Sequence, residues 1–450
     1  MNTQNVSRRK FLKDASAGTV AAVAMSAYGK AAAKGDALAV LGGSPVRTAP
    51  FPAWPPVTAE IEQSLVAALR SGKWGRTLQG PMQGTGLVVE FEKRFAELIG
   101  AAHCLATGSC TQSLHTALHA VGVGAGDEVL VAPCTFIASI QAVLMCGALP
   151  VFVDVDLDTF QMDPGKIEPL VNGNTRAVEP VHIGGLPCSM EKIMAVAKKH
   201  GLKVVEDAAQ AHLAEFQGKK CGTFGDLGCF SFQSSKVLAC AEGGAIVGND
   251  GALLEQCYAF HNLGLSAKGG SAAIGTKYRM HELEAAVLLP QLATIARQTQ
   301  TRNDNAAYLA RRLGEIPGIV PQKLHEGATK AAYYIYGFRY QKEHFNDSPK
   351  QKFLKALRGE KIPFTTMYFD ELNKQPFLEH TLNSPTFRKI FSQERLKRYR
   401  EENLCPSNDQ LSAEGVWLPQ YVFLGNTKDM DDIADAVAKI HDQKDQLARL

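Results

Sequence analysis

Ten cysteines are present but no C-x-x-C pair, so the chain lacks the usual spacing of a zinc site, and no metal is expected. There is no G-x-S-x-G turn, which removes a serine hydrolase built on a nucleophile elbow. A G-x-G-x-x-G following a strand is also missing, which weakens a nicotinamide reading. Charge of one sign is scarce: 48 Lys and Arg stand against 45 Asp and Glu, a formal net charge of +3, and no dense basic run lies outside the N-terminus. Nucleic acid is therefore not an expected partner. No apolar run is long enough for a stable membrane span, and no internal repeat stands out.

What is there begins with a basic N-terminus. Ser7-Arg8-Arg9-Lys10-Phe11-Leu12-Lys13 resembles a twin-arginine export signal, followed by an Ala-rich run from Ala15 to Tyr28 and small residues at Ala31-Ala32-Ala33. The reading is a cleaved signal over residues 1–33 and a periplasmic or exported protein; the alternative is a basic disordered N-terminus on a cytoplasmic one. Cleavage removes five basic residues and Asp14, taking the net charge from +3 to −1. A twin-arginine route carries proteins already folded in a reducing compartment, and most cysteines sit in apolar runs, so free thiols are expected.

Residues 34–57 are Gly- and Pro-rich and read as an extended arm. Thr58 caps a helix to about Arg70, with Ile61, Leu65 and Leu69 on one face, and a second helix runs from Leu87 to Ile99. Strands then alternate with helices: strands at Glu128–Ala132, Pro150–Val153, Arg176–His182 and Lys203–Glu206, and helices at Ala138–Cys146, from Asp163-Pro164, and at Met190–His200 with Ser189 as cap. That alternation predicts an α/β fold, a mostly parallel sheet covered by helices on both faces. One or two helices follow from Glu282 to about Leu309, then an aromatic strand pattern from Ala332 to Gln341 and a helix from Pro349 to Arg358. The charged run from Arg388 to Glu402 reads as a solvated helix, and Asp429 to Lys444 as a closing amphipathic one. The expected division is a signal (1–33), an arm with a large domain (34–300) and a small C-terminal α/β domain (301–450).

The chemistry-bearing stretch is Leu202 to Gly244. Asp207 ends an apolar strand, and in parallel α/β sheets ligands sit beyond those ends, although an acid there also reads as a helix cap. Lys236 lies five residues after Ser231, beyond the apolar Phe230-Ser231-Phe232 and before Glu242-Gly243-Gly244; alone, a lysine is usually a solvated charge. Gly108 to Gln112 is a small polar turn opening a helix, suited either to an anion or to a plain cap. Phe136 follows a strand and can stack on a ring or fill a core. His182 and His212 each read as structural histidines.

Asp207, Gln210, Ser231, Lys236 and Glu242-Gly243-Gly244, in this order, make the sequence resemble the DegT/DnrJ/StrS aminotransferases, of pyridoxal phosphate (PLP) fold type I. LAVLGGSPVR (Leu38–Arg47), GAGDEVLVAPCTFIAS (Gly124–Ser139), PVFVDVDLDTF (Pro150–Phe160) and KYRMHELEAAV (Lys277–Val287) extend the likeness over about residues 37–445. The resemblance implies a large domain with a mostly parallel central sheet, a smaller C-terminal domain, and pyridoxal 5'-phosphate as cofactor. It implies Lys236 as the Schiff-base lysine and proton carrier, Asp207 on the ring nitrogen, Gln210 on the ring oxygen and Phe136 stacked on the ring. Thr111, Gln112 and Ser231 would hold the phosphate. It also implies a homodimer with shared sites, the Tyr278-Arg279 region coming from the neighbour, and Lys277 standing where an asparagine commonly reaches the phosphate. Cys110 and Ala241 stand where glycine is usual, and Tyr368-Phe369-Asp370 lacks a histidine often seen there. The expected reaction moves an amino group from glutamate or glutamine to a keto group of a sugar or cyclitol. The rivals are other PLP chemistry, such as a lyase, or a non-catalytic binding role. The arm and the Trp74-Gly75-Arg76 loop are expected to help close the pocket.

Overall fold

The computed structural model describes residues 37–450, apart from 77, 78, 367, 369 and 370. The export signal expected within residues 1–33 lies outside the described residues. The Thr58 hydroxyl accepts the Ile61 N–H and opens α1 (Ala59–Ser71), which Gly72 ends in the left-handed region at φ 68°. Next come α2 (Leu87–Ile99), β1 (His103–Thr107), α3 (Cys110–Ala120), β2 (Glu128–Val131), α4 (Ile137–Met145) and β3 (Leu149–Phe152). They are followed by β4 (Thr175–Glu179), α5 (Met190–His200), β5 (Lys203–Asp207), β6 (Leu227–Ser231), β7 (Gly244–Gly248) and α6 (Gly251–His261). The chain continues through α7 (Glu282–Gln291), α8 (Ile295–Gly314), β8 (Ile319–Pro321), β9 (Ile335–Tyr340) and α9 (Lys350–Gly359). It closes with α10 (Gln393–Glu402), β10 (Gly415–Pro419) and α11 (Thr427–Asp442).

The central sheet has seven strands in the order β1-β7-β6-β5-β4-β2-β3. The five strands from β3 to β6 run parallel, and β7 is antiparallel to both of its neighbours. Strands β2, β6 and β7 are buried at every residue, as a sheet covered on both faces requires. This is the α/β architecture the sequence predicts. A second sheet, β8-β9-β10, is antiparallel and shares a separate apolar core with α8, α9 and α11. The N-terminal arm is tied to that second body: Leu38 enters its core, and Arg47 forms ion pairs with Asp429 (2.7 Å) and Asp432 (2.8 Å).

Several local expectations are corrected. The helix expected from Asp163-Pro164 is two 3-10 turns, Pro164–Lys166 and Glu168–Leu170; Asp163 does cap the first, but Pro169 lacks the N–H that would carry a helix onward. Ser189 precedes α5 without a side-chain cap bond. In α1 only Ile61 and Ala68 are buried, while Leu65 and Leu69 stay 37% and 53% exposed. The charged run to Glu402 is solvated on one side only: Leu396 and Tyr399 of α10 are buried, and Arg395 reaches the buried Glu128. All ten cysteines are free thiols, nine of them buried.

Candidate active site

The C-terminal ends of the parallel strands surround a cavity of about 720 Å³. Each strand delivers one group there because each changes to loop or helix at the same level: β5 ends at Asp207, β6 at Ser231, β2 leads to Phe136, and β1 leads to Ser109 and α3. Of the eight residues singled out in the sequence, Lys236, Asp207, Gln210, Ser231, Thr111 and Phe136 line this one cavity. Gln112 and Lys277 do not.

Lys236 is only 7% exposed, and among the described residues no carboxylate lies within ion-pair distance of it. Its ammonium nitrogen sits 3.9 Å from the ring centroid of Tyr334, which partly offsets the loss of water. The Trp54 indole N–H donates to the Lys236 carbonyl at 3.1 Å, fixing the backbone from which the amine projects. The Tyr334 hydroxyl lies 2.8 Å from Ser235 Oγ and 3.1 Å from the Tyr368 hydroxyl. Burial pushes the Tyr334 phenol up, but the Lys236 charge and these hydrogen bonds outweigh it and bring it below its ordinary value. Ala241, where a glycine was the expected residue, adopts the left-handed region at φ 75°, which costs an alanine about 1 kcal/mol.

Asp207 accepts from Ser139 Oγ at 2.7 Å and from the Ala209 N–H at 3.0 Å. Burial nevertheless raises its carboxyl above the ordinary value. Phe136 is 48% exposed, so it belongs to the cavity wall and not to the core. The Gln210 side-chain oxygen accepts from the Gly184 N–H at 2.7 Å, so its amide NH2 is the half left over for a ligand.

At the start of α3, Ser109 Oγ takes the Gln112 N–H at 3.3 Å and the Ser109 carbonyl takes the Ser113 N–H at 3.0 Å. The Cys110 and Thr111 N–H groups of the first turn remain for an anion. Gly244 of β7 passes directly behind this turn: a Cβ there would stand 2.5 Å from the Ser109 carbonyl carbon, so only glycine permits the approach. The Gln112 side chain turns back toward Gly108, and its oxygen is buried without a partner. Lys277 is exposed, in a segment whose next residue, Tyr278, accepts the Gly108 N–H at 2.8 Å.

The residues missed in the sequence are those the chain brings from far away: Trp54, Tyr334 and Gln420, all lining the cavity. A lone Trp-Pro pair in the arm was the one local signal. Trp74-Gly75-Arg76 does not close the pocket; Arg76 is buried beneath α2 and paired with Glu92. Pyridoxal phosphate fits these groups: an anion site at a helix start, a buried acid with acceptor capacity to spare, an aromatic wall and a buried amine with no counter-ion among the described residues.

A family model described as the DegT/DnrJ/EryC1/StrS aminotransferase family matches residues 56–438. The L-glutamine:2-deoxy-scyllo-inosose aminotransferase of Streptomyces fradiae is 35% identical over 423 residues, covering 90% of this chain and 97% of that protein. The L-glutamine:scyllo-inosose aminotransferase of Streptomyces griseus is 34% identical over 433 residues, covering 92% of this chain and 100% of that protein. Among solved structures, 3-amino-5-hydroxybenzoic acid synthase superposes with a TM-score of 0.77 at 32% identity, covering 90% of this chain and 100% of that one.

Proposed function

This chain belongs to the DegT/DnrJ/EryC1/StrS aminotransferase family, and from that premise we propose that it moves the amino group of glutamine to the keto group of a cyclitol or sugar. Glutamine is preferred over glutamate as donor because the two relatives above are glutamine-dependent by name. The observation that carries the reading is Lys236, a buried amine with no ion-paired acid among the described residues, facing the same cavity as the buried Asp207.

Pyridoxal phosphate, when bound, supplies an aldehyde for an amine and a ring that accepts the electron pair released at the donor carbon. Lys236 would hold the aldehyde carbon through its amine and would be the base that takes the proton from the donor carbon and returns it. Asp207, held by Ser139 and Ala209, keeps the proton on the ring nitrogen. Phe136 would cover one ring face, Gln210 would offer its amide to the ring oxygen, and Thr111, Ser231 and the N–H groups at the start of α3 would take the phosphate, since all of them line the one cavity.

A second copy completes the reading. Exposed Met145, Leu263 and Ile274 form an apolar flank around a cleft bounded by His119 and Phe260, close to the segment that carries Lys277. Pairing through that flank would let Lys277 reach a neighbouring phosphate site; sedimentation as a monomer at micromolar concentration would remove this role. Export is tested by changing Arg8 and Arg9 to lysine: the precursor should then stay in the cytoplasm, and an unchanged location would remove the signal.

The reaction is tested by mixing the PLP-loaded protein with glutamine alone. The yellow band should be lost to the pyridoxamine form and return on adding scyllo-inosose. A band unmoved by glutamine would exclude transamination from this donor.

A further inference from the structure

Arg302, in α8, is the anomaly of this interior. It is fully buried, yet among the described residues no carboxylate pairs with it. Its Nε and Nη2 both donate to the side-chain oxygen of Gln420, at 3.1 and 2.5 Å. Its Nη1 has no partner. Burial pushes the guanidinium down to about 9, the mark of a charge without compensation.

A guanidinium can only donate, so Gln420 must turn its oxygen toward Arg302. That fixes the amide and leaves its NH2 as the half Arg302 cannot use. Gln420 is 2% exposed, lines the cavity, and its Nε2 has no partner. Gln420 thus stands at the cavity wall with an amide donor that has no partner among the described residues, and the Arg302 guanidinium lies buried behind it. Buried polar groups are almost always hydrogen-bonded and buried charges paired, so the missing partner is an anion.

Which anion follows from position. The phosphate has its own donors at the start of α3. The Arg302 guanidinium lies 5.5 Å from the Trp54 ring, and Trp54 in turn holds the Lys236 carbonyl at 3.1 Å. The pair thus stands beside the reactive lysine. An α-amino acid carries its carboxylate on the same carbon as the reacting amine, so that carboxylate must lie near where Lys236 works. The polyhydroxy keto acceptor has no charge to offer. We propose that Gln420 receives the α-carboxylate of the amino donor, and that Arg302 acts behind it as a positioning residue that orients the amide and supplies the charge.

The inference rests on the aminotransferase reading, but its test is read without turnover. The PLP-loaded protein is titrated calorimetrically with 4-carbamoylbutanoate, which is glutamine without its amino group. Gln420→Glu keeps Arg302 engaged but sets a like charge against the ligand; Arg302→Lys keeps a charge but loses the two-pronged hold. Each should raise the Kd of this probe at least about tenfold, the effect of losing a hydrogen bond to a charged group. In the donor half-reaction KM for glutamine should rise with little change in kcat, while KM for the keto acceptor stays put. The melting temperature of Gln420→Glu should not fall below that of the parent. An unchanged Kd in Gln420→Glu would overturn the proposal, as would an equal loss of acceptor affinity. If the parent binds the probe but does not transaminate, the functional reading fails while the carboxylate site stands.

Discussion

Glu206 and Asp207 are consecutive residues of β5, both buried, with their carboxylates on opposite faces of the sheet. On one face Glu206 accepts the N–H groups of Gly222 (2.7 Å), Phe224 (2.6 Å) and Gly225 (2.8 Å) and meets His182 Nε2 at 2.9 Å. On the other, Asp207 has two partners, spare acceptor capacity and a cavity before it. The first acid builds a loop by filling its lone pairs; the second is held back for something that arrives. Glu179, on β4 and on the cavity-side face, is a third case: fully buried, with neither oxygen partnered. Burial first, and the nearby Asp207 charge second, push it well above its ordinary value.

The contrast can be broken or sharpened by substitution. The largest effect belongs to the cavity face: Lys236→Ala should cut amine transfer by about 10³-fold or more and abolish borohydride fixation of the cofactor, with little change in apo-protein stability, measured by kinetics and mass spectrometry. On the opposite face, Glu206→Ala strands three backbone donors and should cost about 3 kcal/mol, seen as a loss of melting temperature or of soluble protein. If it left the melting temperature intact, the division between the two faces would fail. Asp207→Asn should do the reverse, weakening pyridoxal phosphate binding by about tenfold or more in a fluorescence titration. Because the folded pKa of Asp207 is raised above 3.8, the apo protein loses stability as pH rises through that range, so the Asn variant should melt no lower than the parent at pH 7. The smallest effect is that of Glu179→Gln. The folded Glu179 carboxyl titrates above 4.5, so the unfolded chain ionises first and stability falls as pH rises beyond that value; the Gln variant should match the parent near pH 4 and be more stable, by about 1 kcal/mol, at pH 8.

Strands β2 to β5 of the central sheet were legible because they are short apolar runs closed by Gly, Pro or a polar turn, and the helices around them carry their own stops, such as Gly100 and Gly201, whereas β1 and β7 were not anticipated. Lys236 and Asp207 were legible through their setting after such strands. The 3-10 turns after Asp163 were not, since Pro164 gives a sound helix start and only Pro169 withdraws it. Gln420 and Arg302 were invisible for a different reason. They lie 118 residues apart, in elements with no shared period, and their meaning is a missing partner that only three dimensions reveal. Leu65 and Leu69 misled because a helical apolar face says that something covers it, not that the same chain does.

The arm has a consequence for the order in which the enzyme can be made. Trp54 braces Lys236, but the arm itself is fastened by Arg47 to Asp429 and Asp432, and by the Leu38 N–H to Gln446 at 3.1 Å. During synthesis the sheet and its lysine leave the ribosome long before α11 does. Until that last helix emerges, the arm lacks its Arg47 ion pairs and is held chiefly by Glu360, which takes the Ala39 and Val46 N–H groups at 2.9 Å. A protein cut before α11 is therefore expected to brace Trp54, and with it the Lys236 backbone, less firmly than the whole one.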